Sequence, residues 1–242
     1  MQSRTCWIVL LCAALSADAA CTGEDSASKS TAADVDMKQL SPVVDNAYVA
    51  FAALKRAVYA GKERDPESGK MVEIRVEVVP RPAPEKVAGI PVTVVEVTDF
   101  EGGEMVEKTL DYYAQDAAGN AYYVGEKVDD FEDGKVVGHG GQWLAGVNGA
   151  KPGLFMPAKP KVGDVFEQER APGIAEDRST VVAVGVSVTV PAGTFSNCIQ
   201  TEDFDPVGKT TQNKFFAPGV GLVKEILSDG KSTIELVKRE TR

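Results

Sequence analysis

The sequence predicts an all-β protein with a single antiparallel meander sheet that curls into a half-barrel or flattened barrel. Apolar and polar residues alternate with a period of two from Met71 almost to the C-terminus, which is typical of strands with one solvated face. Short turn signals separate these runs, so neighbouring strands are expected to be antiparallel. No strand–helix–strand alternation is visible, which argues against a parallel sheet. A sheet of about eleven strands is expected to curl or close, because open edges invite pairing with other chains.

Residues 1–21 have the pattern of an export signal peptide. Arg4 supplies a short positive start, and the apolar run from Trp7 to Leu15 is too short to span a bilayer. Small residues follow as far as Cys21, which is where cleavage is expected, either at this residue or just before it. The sequence therefore predicts a protein that leaves the cytoplasm.

Cys21 allows two interpretations of the mature N-terminus. The favoured one is lipidation of Cys21, as in bacterial lipoproteins, which anchors the protein to the membrane at the cell envelope. Cleavage at the small residues 17–19 (Ala-Asp-Ala) is the alternative and gives a secreted or periplasmic protein. In the first case Cys198 is a lone, buried thiol, whereas in the second a Cys21–Cys198 disulfide can form in an oxidising compartment.

The chain is acidic, with 242 residues and a formal net charge of -10. Nucleic acid is not an expected partner, because there is no basic patch to neutralise phosphates. The acidity is expected to serve solubility. Outside the leader, two cysteines and one histidine are too few for a structural zinc site of the usual kind, and we expect no cofactor.

The residues behind the leader divide into a disordered linker, 22–41, and one β domain, 42–242. The linker is rich in Ser, Ala, Thr and acidic residues, which cannot build a packed core. At the start of the domain, the alanine-rich stretch Asn46–Ala60 predicts one short helix, which Gly61 could cap. This stretch is expected to lie against the mouth or the edge of the sheet.

The strands are expected in order along the remaining chain. In Met71–Val79 the apolar side chains share one face and the charged side chains share the other. The further predicted strands are Val92–Val97, a strand between Glu104 and Tyr113, a strand from Tyr122, Val136–Ala145, Val182–Val190, Phe195–Thr201, Thr210–Phe216, Val220–Leu227 and Ser232–Lys238. Gly, Pro and Asp-Gly turns lie between neighbours, of which Asp133-Gly134 is a strong hairpin signal.

The stretch Asp111–Glu126 predicts a β-hairpin. Two aromatic runs flank the turn residues 116–120, where Asp116 can bond its own backbone and Gly119 tolerates positive φ. A hairpin of this kind brings Asp111 close to Glu126.

Three motifs resemble those of a group of exported bacterial proteins that are often considered lipoproteins and whose function is uncharacterised. The motifs are Asp111–Glu126 (beginning Asp-Tyr-Tyr-Ala-Gln-Asp-Ala-Ala-Gly-Asn), Val188–Phe195, and Phe215–Val223, which contains Phe216-Ala-Pro-Gly-Val-Gly-Leu-Val. With two shorter matches they cover roughly Asn46 to Ile226. The resemblance implies export and a curved β-sheet, and it supplies no catalytic residues. The group has an extended chain where the alanines of Asn46–Ala60 favour a helix.

Aromatic side chains are the candidates for lining a ligand pocket: Tyr113, Tyr122, Trp143, Phe155 and Phe216. A curved sheet can leave a concave apolar surface, and rings of this size would line it. The alternative is that the same rings form cross-strand packing pairs inside the protein.

The hairpin also carries a weaker candidate site for a divalent cation, formed by Asp111, Asp116, Asn120 and Glu126. All four have oxygen atoms, the ligands that calcium prefers, but ordinary turn chemistry is the favoured explanation for this set. His139 lies in a glycine-rich run without a nucleophile motif nearby, so no catalytic residues are predicted.

Two functions from different classes remain open. The leading hypothesis is a non-enzymatic envelope protein that binds or carries an apolar or amphipathic small molecule in its curved sheet. The alternative is a structural or interaction module of the cell surface that binds a protein partner or a divalent cation through its acidic surface.

Overall fold

A computed structural model describes residues 34–65, 68–227 and 232–242. The predicted signal peptide, its lipidation site Cys21 and most of the predicted linker lie outside these residues. The last part of the predicted linker packs against the sheet: Leu40 is buried and the backbone of Ser41 pairs with Gln115. No helix within the described ranges is long and apolar enough to span a membrane.

The described residues form fifteen strands that belong to one sheet. The strands are β1 (Leu54–Arg64), β2 (Met71–Pro80), β3 (Glu85–Val87), β4 (Ile90–Glu101), β5 (Glu104–Gln115), β6 (Ala121–Glu132), β7 (Lys135–Gly138), β8 (Trp143–Leu144), β9 (Gly153–Met156), β10 (Val165–Glu167), β11 (Arg178–Val190), β12 (Gly193–Asp205), β13 (Thr210–Ala217), β14 (Gly221–Leu227) and β15 (Thr233–Thr241). The prediction of an all-β protein is confirmed.

The sheet is antiparallel and follows the chain as a meander. Its order is β10-β11-β12-β13-β14-β15-β1-β2-β4-β5-β6-β7, while β3 pairs with β4 and both β8 and β9 pair with β6. The two end strands, β10 and β7, do not pair within the described part of the chain, so the sheet is not closed into a barrel. Its ends nevertheless approach each other, because a bridge between Lys151 and Arg170 joins the chain before β9 to the chain after β10.

The predicted helix at Asn46–Ala60 is wrong. Only Phe51–Ala53 forms a single 3₁₀ turn, and β1 begins at Leu54. β1 lies in the middle of the sheet between β15 and β2, and a Cβ added at Gly61 would come within 1.8 Å of the Thr233 carbonyl oxygen. Pairing on both sides of the strand outweighs the helix propensity of its alanines, which is a weak preference.

The strand at Met71–Val79 is confirmed together with its buried face, since Ile74, Val76 and Val78 are buried. The strand at Val182–Val190 is also confirmed, but its apolar side chains do not share one face. Val182 and Val184 are exposed, because irregularities in the pairing with β12 shift the alternation along β11. Alternation alone does not reveal such bulges.

Candidate ligand-binding site

The inner face of the sheet encloses a cavity of about 70 Å³ near the turn before β1. Residues 47–53, called here the cover segment, lie over it, and the Ala47 carbonyl oxygen accepts a hydrogen bond from the Gly219 amide at 2.6 Å. Val78, Val95 and Phe216 are among the side chains that form its walls. A buried water molecule needs about 10–15 Å³ of such space, so the cavity has room for roughly five water molecules.

A cluster of rings packs at one side of this cavity. Tyr113 lies at its centre, with ring-centroid distances of 4.8 Å to Phe51, 4.8 Å to Tyr123 and 5.1 Å to Phe155. Trp143 extends the cluster through an edge contact with Tyr123 at 5.6 Å. These separations are typical of favourable aromatic pairs, so the rings pack on one another as well as line the cavity.

A bulge in β6 sets which side chains face inward. The pairing of β5 with β6 shifts between Tyr112 and Tyr113, opposite Gly125, which has a φ of +133°. Glu126 is paired with Asp111 on one side of the shift, and Tyr123 is paired with Tyr113 on the other. The extra residue lets both Glu126 and Tyr123 face the interior, although an unbroken strand would place them on opposite faces.

Beyond the apolar cavity, the interior is rich in carboxyl groups. The described buried residues include twelve acids and one base, Lys214. The acids of the inner face that interact with one another are Asp99, Glu107, Asp111, Glu126, Glu169, Asp177, Asp203, Asp205 and Glu225. Burying carboxylates together is costly unless they are paired or protonated, so this cluster is the least expected feature of the fold.

Several of these carboxyl groups have no donor among the described residues. Both oxygens of Glu107, Glu126 and Glu169 lack a hydrogen-bond partner. The Tyr123 hydroxyl lies beside Asp111 and Glu126 but does not reach hydrogen-bond geometry with either. Asp111 differs, because the Thr109 hydroxyl donates to its Oδ1 at 2.8 Å.

Burial is the main reason why the pKa values of these carboxyl groups are raised, since it disfavours the charged form. It raises the pKa of Glu107 to about 9, with further effects from Asp99 and Asp130. The pKa of Asp177 rises to about 8, and those of Asp111 and Glu225 rise to about 7. Part of the cluster therefore holds protons near neutral pH.

Glu169 adds to the effect of burial on the pKa of Glu126. Burial raises the pKa of both well above the usual range, and Glu169 is the charged neighbour with the largest effect on Glu126. Burial by itself would lower the pKa of Lys214, but the carboxylates of Asp203 and Glu225 outweigh it and raise that pKa. Lys214 is therefore a positive charge that neighbouring acids already neutralise, with Asp203 Oδ2 at 3.3 Å from its Nζ.

A second cavity, of about 320 Å³, lies beside the paired ends of β6 and β8. Glu126, Trp143 and Ile174 are among the residues that line it. The indole nitrogen of Trp143 has no hydrogen-bond partner within the described ranges.

The structure brings together three of the five predicted pocket residues. Tyr113, Phe155 and Phe216 line the apolar cavity, whereas Trp143 lines the second cavity. Tyr122 is directed elsewhere, since its hydroxyl donates to Asp116 Oδ2 in the hairpin turn at 3.2 Å.

The four predicted cation ligands lie in two separate places. Asp111 and Glu126 are paired across β5 and β6, as the hairpin predicts, and both are buried. Asp116 and Asn120 stay in the turn, where Asp116 accepts from the Asn120 amide and side chain at 2.9 and 2.8 Å. Within the described ranges, no three acidic, His or Cys side chains converge as ligands of a metal ion.

Two other side chains discussed from the sequence are peripheral to the cavities. His139 is half exposed, with Nδ1 at 2.7 Å from the Val128 carbonyl oxygen and 3.1 Å from Asp129. Cys198 is buried and is the one cysteine within the described ranges, and its Sγ lies 3.5 Å from the Phe195 carbonyl oxygen. The proposed Cys21–Cys198 disulfide stays a prediction, because Cys21 lies outside the described residues.

Sequence reasoning missed most of the acidic cluster. One signal was available: Asp99 follows Val97 by two residues, and Lys214 precedes Phe216 by two, so each lies on the apolar face of its strand. A charged residue in phase with the buried residues of a strand marks a polar interior. Glu169 and Asp177 lie outside the strands and carry no such signal.

No protein-family model matches the chain, and no curated protein matches it in sequence. Among solved structures, the chain is similar to a protein from Parabacteroides distasonis that is described as a putative lipoprotein. The similarity has a TM-score of 0.35 and 13% sequence identity, and it covers 77% of this chain and 95% of that chain. A likeness of this degree supports no conclusion about what the present chain does.

Proposed function

We propose that the protein is an exported, non-enzymatic protein of the cell envelope that binds a small apolar or amphipathic molecule beneath the cover segment. The observation that carries the proposal is the cavity itself, which the surrounding side chains leave unfilled. Its walls are predominantly apolar, with Asp111 and Lys214 as the charged residues among them. Concave apolar sites with a few polar groups are the usual form of small-molecule sites.

The geometry also fits an amphipathic ligand. Tyr48, Phe51 and Leu222 are among the apolar side chains that line the cavity, and Asp111 adds a carboxyl group to its wall. An apolar part of the ligand would replace water against these walls, which contributes about 25 cal/mol for each Å² of apolar surface removed from water.

The binding proposal is tested with the fluorescent apolar probe N-phenyl-1-naphthylamine. We expect saturable binding to the wild-type protein and its loss in Val220→Trp, because the indole fills the cavity that Val220 lines. Val182→Trp, at an exposed position on β11, is the matched control and is expected to bind as the wild type does. Equal binding by both variants would place the probe elsewhere and reject this site.

The lipid anchor is the second part of the proposal, and it rests on the leader pattern that ends at Cys21. Cells that express the full chain are expected to incorporate labelled palmitate into the wild-type protein and into Cys198→Ala. The label should be absent from Cys21→Ala. An unlabelled wild-type protein would show that the chain is released without an anchor.

A further inference from the structure

The charged groups that line the apolar cavity decide which head group a ligand can carry. Two charged side chains line the cavity, Asp111 and Lys214. Lys214 is the buried base among the described residues, and Asp203 lies 3.3 Å from its Nζ. Glu225 and Asp177 also act on Lys214. Its charge is therefore already balanced, and it cannot serve as a free counter-ion for an anionic head group.

Asp111 is placed differently. One of its oxygens accepts from Thr109 at 2.8 Å, and the side chain is buried at the boundary between the apolar walls and the acidic interior. Behind it, both carboxyl oxygens of Glu107, Glu126 and Glu169 lack donors among the described residues. Because burial raises the pKa of these three groups, they hold protons and add little charge, whereas Asp111 ionises near neutral pH. An incoming cation would therefore be stabilised at Asp111, and an incoming anion would be repelled.

We propose that the ligand of this cavity is an alkyl amine, whose ammonium group binds at Asp111 while its hydrocarbon chain lies along the apolar walls. The inference deepens the proposed function, because it names the chemical class of the molecule that the cavity takes. An ammonium group donates hydrogen bonds and accepts none, which suits the carboxylate of Asp111 at the cavity wall. A charge-assisted hydrogen bond to a carboxylate is also stronger than a bond between neutral groups.

The size of the cavity favours a linear amine. A volume of about 70 Å³ accommodates the head group and the first few carbon atoms, and the remaining chain would leave past the cover segment. A bare divalent cation fits less well, since no three ligating side chains converge in the described part of the chain.

The inference is tested by competition against bound N-phenyl-1-naphthylamine with three ligands of equal chain length: octylamine, 1-octanol and octanoate. Near pH 8, where Asp111 is largely ionised, octylamine is expected to compete about ten-fold better than 1-octanol, which corresponds to about 1.4 kcal/mol. Octanoate is expected to be the weakest. The inference would be overturned if octylamine competed no better than 1-octanol, or if octanoate were the strongest competitor. Either result would still leave an apolar binding site in place.

The residue assignment is tested with two matched variants. Asp111→Asn is expected to lower the affinity for octylamine to that for 1-octanol, with both ligands compared on the same variant. Asp116→Asn, in the solvated hairpin turn, should behave as the wild type. An undiminished preference for the amine in Asp111→Asn would contradict the role of Asp111.

A second measurement needs only the wild-type protein, so it holds even where Asp111→Asn does not fold. The advantage of octylamine should shrink as the pH falls from about 8 to about 6, because Asp111 takes up a proton in this range. The titratable groups that face Asp111 are Asp99, Glu107, Tyr113, Tyr123, Glu126 and Glu169. An advantage that does not change with pH would count against an ionised head-group site. If the probe does not bind at all, the proposed function fails, and this inference fails with it.

Discussion

At the scale of single residues, the buried carboxyl groups are what distinguishes this protein from an ordinary β-sheet protein. Glu107 shows the effect most clearly: it is 2% exposed, neither carboxyl oxygen has a donor among the described residues, and its pKa is raised to about 9. In the unfolded chain the same group titrates near its usual pKa of about 4.3. The folded protein therefore binds more protons than the unfolded chain between these two values.

This difference predicts an unusual dependence of stability on pH. The free energy of unfolding falls as the pH rises wherever the folded state holds more protons than the unfolded chain. The stabilising contribution of protonated Glu107 is therefore complete below about pH 4.5 and is lost by about pH 9. Each pH unit inside the window costs about 1.4 kcal/mol for a carboxyl group that is protonated only in the folded state. Thermal unfolding at a series of pH values measures the slope.

The variant Glu107→Gln is the matched test at this position, because glutamine has the shape of the protonated acid and cannot lose a proton. We expect the Tm of the variant to match that of the wild type near pH 5 and to exceed it near pH 9. The increase should be roughly 2–4 °C for each kcal/mol by which the free energy of unfolding rises. Glu104→Gln, at an exposed position on the same strand, should leave the pH profile unchanged. A wild-type Tm that rises from pH 5 to pH 9 would contradict the assignment of Glu107 as a protonated group.

At the scale of elements, local pattern predicted most strands and their turns but not the irregularities between them. The strand Met71–Val79 and the hairpin Asp111–Glu126 follow from residues that are neighbours in sequence, and both are present. The helix predicted at Asn46–Ala60 failed, because β1 is fixed by pairing on both sides, with the next strand β2 and with β15 near the C-terminal end of the chain. The predicted strand Val136–Ala145 is divided into β7 and β8, which pair with two different parts of β6.

The bulge at Gly125 is the irregularity with the largest consequence for the site. A Cβ at this position would lie 2.4 Å from the Trp143 carbonyl oxygen, and the φ of +133° is one that other residues rarely adopt. Gly125→Ala is therefore expected to destabilise the protein by more than about 2 kcal/mol, measured by chemical denaturation.

The control for this variant is Gly134→Ala in the turn between β6 and β7. Gly134 also has a positive φ, of 71°, but a Cβ there would meet no atom within 4 Å. The loss of stability in Gly134→Ala should therefore come from backbone strain alone, about 1 kcal/mol. Equal losses of stability for the two variants would show that the backbone of β8 does not lie close to Gly125.

At the scale of the whole molecule, the sequence predicted the class of the fold and missed the character of its interior. Composition indicated an acidic protein whose charge serves solubility, yet twelve acids are buried in the described residues. Three of the five aromatic candidates line the apolar cavity, and they come from β5, β9 and β13, which are far apart in the chain. The acidic cluster joins residues from six or more segments, and no local pattern places such residues together.

The central claim is that the curled sheet holds a small apolar or amphipathic molecule, and native mass spectrometry of the protein isolated from a cell-envelope extract tests it most directly. We predict a species heavier than the lipidated chain by one small molecule, and we predict that this species is absent from Val220→Trp prepared in the same way. A bare protein mass for the wild type, or the same adduct on Val220→Trp, would contradict the claim.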